Sequence, residues 1–229
     1  MFDGNFRNSF DKSVAPIAKV LKKASISPDV LTLLGVVMAG GAAVAMGYGK
    51  FIIAFLLLVL TGLADALDGA VAKASNKSSV RGAFFDSVSD RLSDGFLFAG
   101  LGWYFTTQSE PRLAMLPFAL YVAASLVSYQ RAKAESLGFD AKGGLMERAE
   151  RFIVLGAGLI FSTYLVYVLS VMLVLTVITA LMRFNKVWIQ ASKEKQDDSE
   201  LDADDLSKTS EQNLTSSSSQ FDKNSNKEN

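Results

Sequence analysis

Five aspartates at helical spacing are the residues of this sequence best suited to chemistry. Asp65 and Asp68 are three residues apart, so they share one face of a helix. Asp86, Asp90 and Asp94 follow at intervals of four and also share a face. Carboxylates in apolar surroundings are costly unless they pair, face water or bind an ion. The spacing therefore predicts that a cation is held between the acids.

The type of cation follows from the residues that the chain lacks. It contains no histidine and no cysteine, which excludes imidazole and thiolate ligands. Oxygen ligands favour Mg²⁺, Mn²⁺ or Ca²⁺, and Mg²⁺ or Mn²⁺ is usual where a substrate phosphate completes the coordination shell. As an alternative, the acids could form an interfacial salt-bridge network with Lys73, Arg81 and Arg91.

The elements that carry these acids are apolar and long. Half of the 229 residues are hydrophobic, and they fall in blocks long enough for helices of about 20 residues, which cross roughly 30 Å of hydrocarbon. The sequence predicts an all-α integral membrane protein with six transmembrane helices. These helices are expected at about 29–47, 50–74, 83–106 and 112–134, with two more dividing 148–184 at a turn near 162–167.

Charge and composition divide the chain into three parts. Residues 1–24 have apolar and basic positions at helical spacing, which predicts an amphipathic interfacial helix. Residues 25–190 form the six-helix catalytic domain, and the polar segment 191–229 is predicted to be a disordered cytoplasmic tail. Lysine and arginine concentrate before the first span and after the second, fourth and sixth, which places the acids and both termini in the cytoplasm. Nothing in this charge distribution favours nucleic-acid binding.

The acids also belong to a longer pattern. The run Asp65-x₂-Asp68-Gly69-x₂-Ala72-Lys73, eight further residues and then Gly82-x₃-Asp86-x₃-Asp90 resembles the signature of the CDP-alcohol phosphatidyltransferase family. That family usually has arginine where this chain has Lys73, so the charge is kept but the planar fork that grips phosphate is lost.

The resemblance implies a reaction and a set of ligands. An alcohol attacks the β-phosphorus of a CDP-activated lipid, and CMP leaves. Two ions, Mg²⁺ or Mn²⁺, would be held by Asp65, Asp68, Asp86 and Asp90. Asp90 would also be the catalytic base, and a homodimer is expected.

The acceptor alcohol is indicated by motifs outside the signature. Ser128–Glu135 and Glu147–Arg151 resemble segments of the actinobacterial phosphatidylinositol phosphate synthases, which join CDP-diacylglycerol to 1D-myo-inositol 3-phosphate. The resemblance implies that the inositol phosphate is held by Arg131, Lys133, Arg151 and Arg183. It implies that CDP-diacylglycerol is contacted by Asp29, Thr32, Gly69, Lys73 and Ser79.

Two other functions stay open from the sequence. A phosphatidylglycerophosphate synthase shares the signature and uses glycerol 3-phosphate, another phosphorylated acceptor. A cation channel or transporter would also place acids in the membrane, although here the acids do not continue across it. The small residues Gly35, Ala39, Ala43 and Gly47 predict an exposed helix face that would permit close contact in a dimer.

Overall fold

The computed structural model describes residues 27–75 and 79–194, without the side chains of residues 73–75. All regular structure in these ranges is helical, which confirms the predicted fold class. The α-helices are α1 (Pro28–Gly47), α2 (Phe51–Ser75), α3 (Val80–Thr106), α4 (Met115–Ser136), α5 (Arg148–Ile160) and α6 (residues 165–194). Short 3₁₀ turns, Pro111–Ala114 and Ser162–Tyr164, precede α4 and α6.

Four of the described helical segments are long and apolar enough to cross a membrane. They are Pro28–Gly47, Phe51–Ala72, Pro111–Ser136 and Ser162–Glu194. The helix α3 carries Asp90, Arg91 and Asp94 near its middle, and α5 has only 13 residues, which is about 20 Å of helix. The protein is thus a helical membrane protein, while the count of six spans stays a prediction.

The predicted ends of the chain fall largely outside the described residues. The amphipathic helix over residues 1–24 lies outside them, as do residues 195–229 of the predicted tail. The first four residues of that tail, 191–194, are the last turn of α6. The turn predicted near residues 162–167 is present as the 3₁₀ turn Ser162–Tyr164.

Serine caps fix the first residues of α1 and α3, whose N-terminal ends lie near the acids. The Ser27 hydroxyl accepts a hydrogen bond from the Val30 N–H at 3.4 Å, and Pro28 occupies the first turn of α1. The Ser79 hydroxyl accepts from the Gly82 N–H at 3.0 Å and caps α3. α1 and α3 therefore begin at the same end of the bundle, which is also the end at which α2 finishes.

The small-residue face of α1 packs inside the protein, so the prediction that it is exposed for dimer contact is wrong. Gly35 faces α2, where an added Cβ would lie 3.1 Å from Asp65 Oδ1. Ala39 is fully buried. A Cβ at Gly47 would overlap the Trp103 ring of α3. The small residues are used to bring α2 and α3 close to α1 within one chain.

The closest approach of α1 and α3 gives a test of this packing. A Cβ on Gly100 would lie 2.5 Å from the Ala43 backbone, which cannot rotate away as a side chain can. We expect Gly100→Ala to destabilise the protein by about 1–3 kcal/mol, the usual cost of overpacking. Thermal unfolding in detergent measures the effect. Gly102→Ala on the same helix meets nothing within 4 Å and should leave stability unchanged or slightly raised. Equal stability of the two variants would contradict the close α1–α3 contact.

Candidate active site

Three helices meet where the signature acids lie. Arg148, the first residue of α5, extends between an acid of α2 and an acid of α3. Its Nη1 atom is 2.8 Å from Asp65 Oδ2 and 2.6 Å from Asp90 Oδ1. Two of the four carboxylates predicted to ligate metal therefore converge on a single cationic nitrogen.

A second set of ion pairs, next to that of Arg148, is formed around Asp94. Asp94 is buried, and its Oδ2 atom accepts from Arg151 Nη2 at 2.8 Å. Arg91 lies 3.7 Å from both Asp90 Oδ2 and Asp94 Oδ2, and it also donates to the Ser128 hydroxyl of α4. The sequence placed Arg151 in the acceptor pocket, whereas the structure places its guanidinium against Asp94.

Asp68 occupies a different part of the same corner. It is buried, and the Thr32 hydroxyl of α1 donates to its Oδ2 atom at 2.6 Å. Thr32 was predicted from the resemblance as a CDP contact, and it lies directly beside a predicted metal ligand. Asp86 is close enough for its charge to act on Asp65, Asp68 and Asp90. All four predicted metal ligands therefore lie in one region.

The other residues predicted to contact CDP surround this corner. Asp29 lies on the first turn of α1, 3.9 Å from Arg81 Nη2 in an exposed ion pair. Ser79 caps α3. A Cβ on Gly69 would meet nothing within 4 Å, so the backbone of α2 is open at this point. The side chain of Lys73 lies outside the described part of the chain.

The carboxylates fit a divalent cation by chemistry and by position. Within residues 27–75 and 79–194, no three acidic side chains stand together as a ready coordination set. The oxygens of Asp65 and Asp90 nevertheless converge on one positive group, with Asp68 and Asp86 close by. These are hard oxygen donors, the type that Mg²⁺ and Mn²⁺ take. The Arg148 guanidinium thus stands where a bound cation would neutralise the same charges.

The alternative that the acids form an interfacial salt-bridge network holds for part of this region. Arg91 pairs with Asp90 and Asp94 as that alternative expects, whereas Arg81 pairs with Asp29, which is not one of the five acids. The main partner of the acids is instead Arg148, which sequence reasoning missed. A signal was available, because a cation on the first turn of a helix opposes the helix dipole. Arg148 and Arg151 at the start of α5 therefore needed carboxylate partners.

Arg183 has a different environment from the other predicted acceptor cations. It is only 4% exposed and donates from Nε to Gly143 O at 3.0 Å and from Nη1 to Val127 O at 2.9 Å. Its Nη2 atom donates to Glu147 Oε1 at 2.5 Å. Arg183 thus ties α4 and the loop before α5 to α6.

A polar stripe on α6 holds that loop, residues 137–147. The Thr179 hydroxyl accepts from the N–H groups of Leu145 and Met146 at 3.1 and 3.0 Å. Lys186 donates to Asp140 Oδ2 at 2.7 Å, a bond that lowers the pKa of this exposed carboxyl from its usual value. Gln190 donates to Asp140 O at 2.8 Å. The stripe fixes the segment from which Arg148 projects.

Arg131 and Lys133 are exposed on α4. Arg131 donates to Glu135 Oε1 at 2.9 Å, one turn along the same helix. Of the four cations predicted for the acceptor, two are therefore buried in ion pairs and two are exposed at the surface.

Comparison with known proteins is consistent with this arrangement. Residues 25–188 match the model of the CDP-alcohol phosphatidyltransferase family. The chain belongs to this family. It is therefore a phosphatidyltransferase, an enzyme that transfers a substituted phosphate group, and not a channel or transporter.

Several relatives of this phosphatidyltransferase have named activities, and two of them differ in the lipid part of the name. The phosphatidylinositol phosphate synthase of Mycobacteroides abscessus is 35% identical over 158 residues, 68% of this chain and 72% of that one. The archaetidylinositol phosphate synthase of Methanothermobacter thermautotrophicus is 35% identical over 188 residues, 80% of this chain and 92% of that one.

Solved structures resemble this phosphatidyltransferase over most of its length. The phosphatidylinositol phosphate synthase of Mycobacterium tuberculosis, crystallised with CDP-DAG bound, has a TM-score of 0.71 and 31% sequence identity. The match covers 76% of this chain and 93% of that one. The same enzyme was crystallised with manganese and citrate, also at a TM-score of 0.71 and 31% identity over 76% of this chain and 88% of that one.

The contacts of Arg183 generate a stability prediction. Arg183→Ala would leave two backbone carbonyls and Glu147 without their donor, and losing one member of a buried ion pair costs about 3–5 kcal/mol. We expect a clear loss of thermal stability in detergent. Arg131→Ala removes an exposed pair and should change stability little. If the two variants unfold at the same temperature, Arg183 does not carry the structural role that its contacts indicate.

Proposed function

We propose that this phosphatidyltransferase joins CDP-diacylglycerol to 1D-myo-inositol 3-phosphate and releases CMP and phosphatidylinositol phosphate. The observation that carries the proposal is the convergence of Asp65 and Asp90, from two helices, on one cationic position. Asp68 and Asp86 complete the signature at the same corner. The named relatives support the choice of substrates.

The reaction balances without a further reagent. A hydroxyl oxygen of the acceptor bonds to the β-phosphorus, the bond from that phosphorus to the CMP oxygen breaks, and the hydroxyl proton passes to Asp90. A carboxylate suits this role if it lies within hydrogen-bond reach of the hydroxyl. One oxygen of Asp90 lies 2.6 Å from Arg148 Nη1, and the other lies 3.7 Å from Arg91 Nη2.

We further propose that Asp65, Asp68, Asp86 and Asp90 hold two divalent ions, Mg²⁺ or Mn²⁺. The manganese complex of the mycobacterial enzyme and the all-oxygen donor set support this assignment. When bound, the ions neutralise the diphosphate and the charge on the leaving oxygen. The hydrogen bond from Thr32 orients Asp68 for ligation, a supporting role that ligands of this kind usually require.

The CDP group is assigned to the surface formed by the starts of α1 and α3 and the end of α2. Asp29, Thr32, Gly69, Lys73 and Ser79 are the proposed contacts. The open backbone at Gly69 supports close approach of a nucleotide or phosphate there. The crystal complex of the mycobacterial enzyme with CDP-DAG supports the lipid substrate.

Inositol phosphate is favoured over glycerol 3-phosphate by the two relatives. Their names specify different lipid parts, phosphatidyl and archaetidyl, yet both specify inositol phosphate. The common element is therefore the acceptor. Arg131, Lys133, Arg151 and Arg183 are the proposed cations around it. Of these, exposed Arg131 and Lys133 can meet an incoming phosphate directly, while Arg151 and Arg183 first need to exchange their present partners.

The proposal includes a location and an assembly. The site and both termini face the cytoplasm, as the positions of lysine and arginine favour. A homodimer is retained as a family expectation, with an interface away from the buried small-residue face of α1.

The acceptor is tested with purified protein, CDP-diacylglycerol and a panel of alcohols. We expect CMP release with inositol phosphate to exceed that with glycerol 3-phosphate or unphosphorylated inositol, and the product lipid to be phosphatidylinositol phosphate by mass spectrometry. Chelation should stop the reaction, and Mg²⁺ or Mn²⁺ should restore it. A preference for glycerol 3-phosphate would make the enzyme a phosphatidylglycerophosphate synthase, and indifference to chelator would remove the metal from the proposal.

The assignment of the metal ligands is tested by replacing aspartate with asparagine, which removes the charge and keeps the shape of the side chain. Asp68→Asn and Asp86→Asn should lower turnover by about a hundredfold or more, since even residues that only support metal ligands are worth roughly 10–100-fold. The folded protein should persist, because an asparagine oxygen can still accept from Thr32. Glu110→Gln is the matched control, an exposed acid between α3 and α4 at the opposite end of α3 from the site. Near-normal turnover in either site variant contradicts the assignment.

A further inference from the structure

Arg148 is placed where it competes with a metal ion. Its Nη1 atom lies 2.8 Å from Asp65 Oδ2 and 2.6 Å from Asp90 Oδ1, in an ion pair with each. An ion ligated by these two oxygens would approach each to about 2.0–2.2 Å, within the space that Nη1 fills. The guanidinium and a divalent cation therefore exclude one another between these carboxylates.

A second position is available to the same guanidinium. Asp94 Oδ1 is 3.7 Å from Arg148 Nε, so another anion already lies near a different nitrogen of the group. The guanidinium carbon lies 4.9 Å from the centre of the Phe152 ring, one turn along α5. The buried Nη2 atom donates to nothing in the described part of the chain. Arg148 can thus leave the Asp65–Asp90 pair and keep ionic and aromatic partners.

Charge balance gives this exchange a direction. Without a cation between them, Asp65 and Asp90 would be two partly buried carboxylates facing one another, which is unfavourable. Arg148 supplies one positive charge at this point, whereas a divalent ion supplies two. Binding of the ion therefore releases the guanidinium. The free energy of the Arg148 contacts that are lost reduces the affinity of the site for metal.

We propose that Arg148 is a positioning residue that holds Asp65 and Asp90 together until a divalent cation displaces its guanidinium, and that it thereby sets the metal affinity of the site. This inference rests on the proposed function, because it takes Asp65 and Asp90 as metal ligands. According to this inference, Arg148, which lies outside the signature, controls how tightly the signature acids bind metal.

The test measures metal binding directly. Full-length protein in detergent, without lipid substrate or acceptor, is titrated with Mn²⁺, and free Mn²⁺ is followed by electron paramagnetic resonance. Arg148→Gln should lower the Kd for Mn²⁺ by about tenfold or more, the worth of a charge-assisted contact. A merely structural role would leave the Kd unchanged or raise it.

Arg91→Gln is the matched control. It removes one positive charge 3.7 Å from Asp90 but vacates nothing between Asp65 and Asp90. Its Kd should change by less than about threefold, as for a charge that acts from a distance at the surface of the site. Equal tightening in the two variants would show a general charge effect and overturn the exchange.

Thermal unfolding supplies a second measurement. Metal-free Arg148→Gln should unfold at a lower temperature than the wild type, and saturating Mn²⁺ should raise its Tm by more than it raises the wild-type Tm. If Arg148→Gln does not fold, Arg148→Lys is used instead. It keeps the charge on a shorter side chain that cannot bridge both carboxylates, so its Kd for Mn²⁺ should still fall below that of the wild type.

The outcomes separate this inference from the function on which it rests. Wild-type binding of Mn²⁺ with an equal or weaker affinity in both Arg148 variants overturns the exchange and leaves the phosphatidyltransferase assignment intact. Failure of the wild type to bind Mn²⁺, together with metal-independent CMP release, overturns the exchange and the metal assignment, whereas absence of CMP release with every acceptor overturns the proposed reaction.

Discussion

Neutralising a group of carboxylates at one corner of a membrane protein is the constraint on which the site depends. Asp65, Asp90 and Asp94 come from two helices and share the cations of a third, so α5 must approach α2 and α3 at this point. Ion pairs desolvated in this way are stable only with good geometry and further hydrogen bonds. Arg151 donates hydrogen bonds to Asp94 and to Met146 O, whereas the Arg148 guanidinium is held by its ion pairs and its Nη2 atom donates to nothing in the described part of the chain.

The helices are held in register by two different kinds of contact. On one side, the small residues of α1 let α2 and α3 approach so closely that a methyl group does not fit at Gly100. On the other side, hydrogen bonds from Arg183 and the α6 stripe secure the loop before α5. Close packing thus supports the acids, and polar bonds support the arginines that face them. Each half of the site has its own means of support.

The sequence predicted those features that depend on spacing along a single helix. Asp65 and Asp68 had to share a face, because helical geometry decides which positions along one helix are neighbours. The role of Arg148 was missed because its partners lie on other helices, far away in sequence. The exposed face expected on α1 was wrong for the same reason, since small residues permit close contact without specifying the partner.

The polar stripe of α6 also has a consequence for protein engineering. Thr179, Arg183, Lys186 and Gln190 recur on one face of α6, and the last of them still holds the loop that precedes α5. The position of Arg148 therefore depends on residues some forty positions later in the chain. Shortened forms made for crystallisation should retain α6 through Gln190, and fusion partners are better attached beyond residue 194. A shorter form could remain embedded in lipid while its arginines no longer faced the acids.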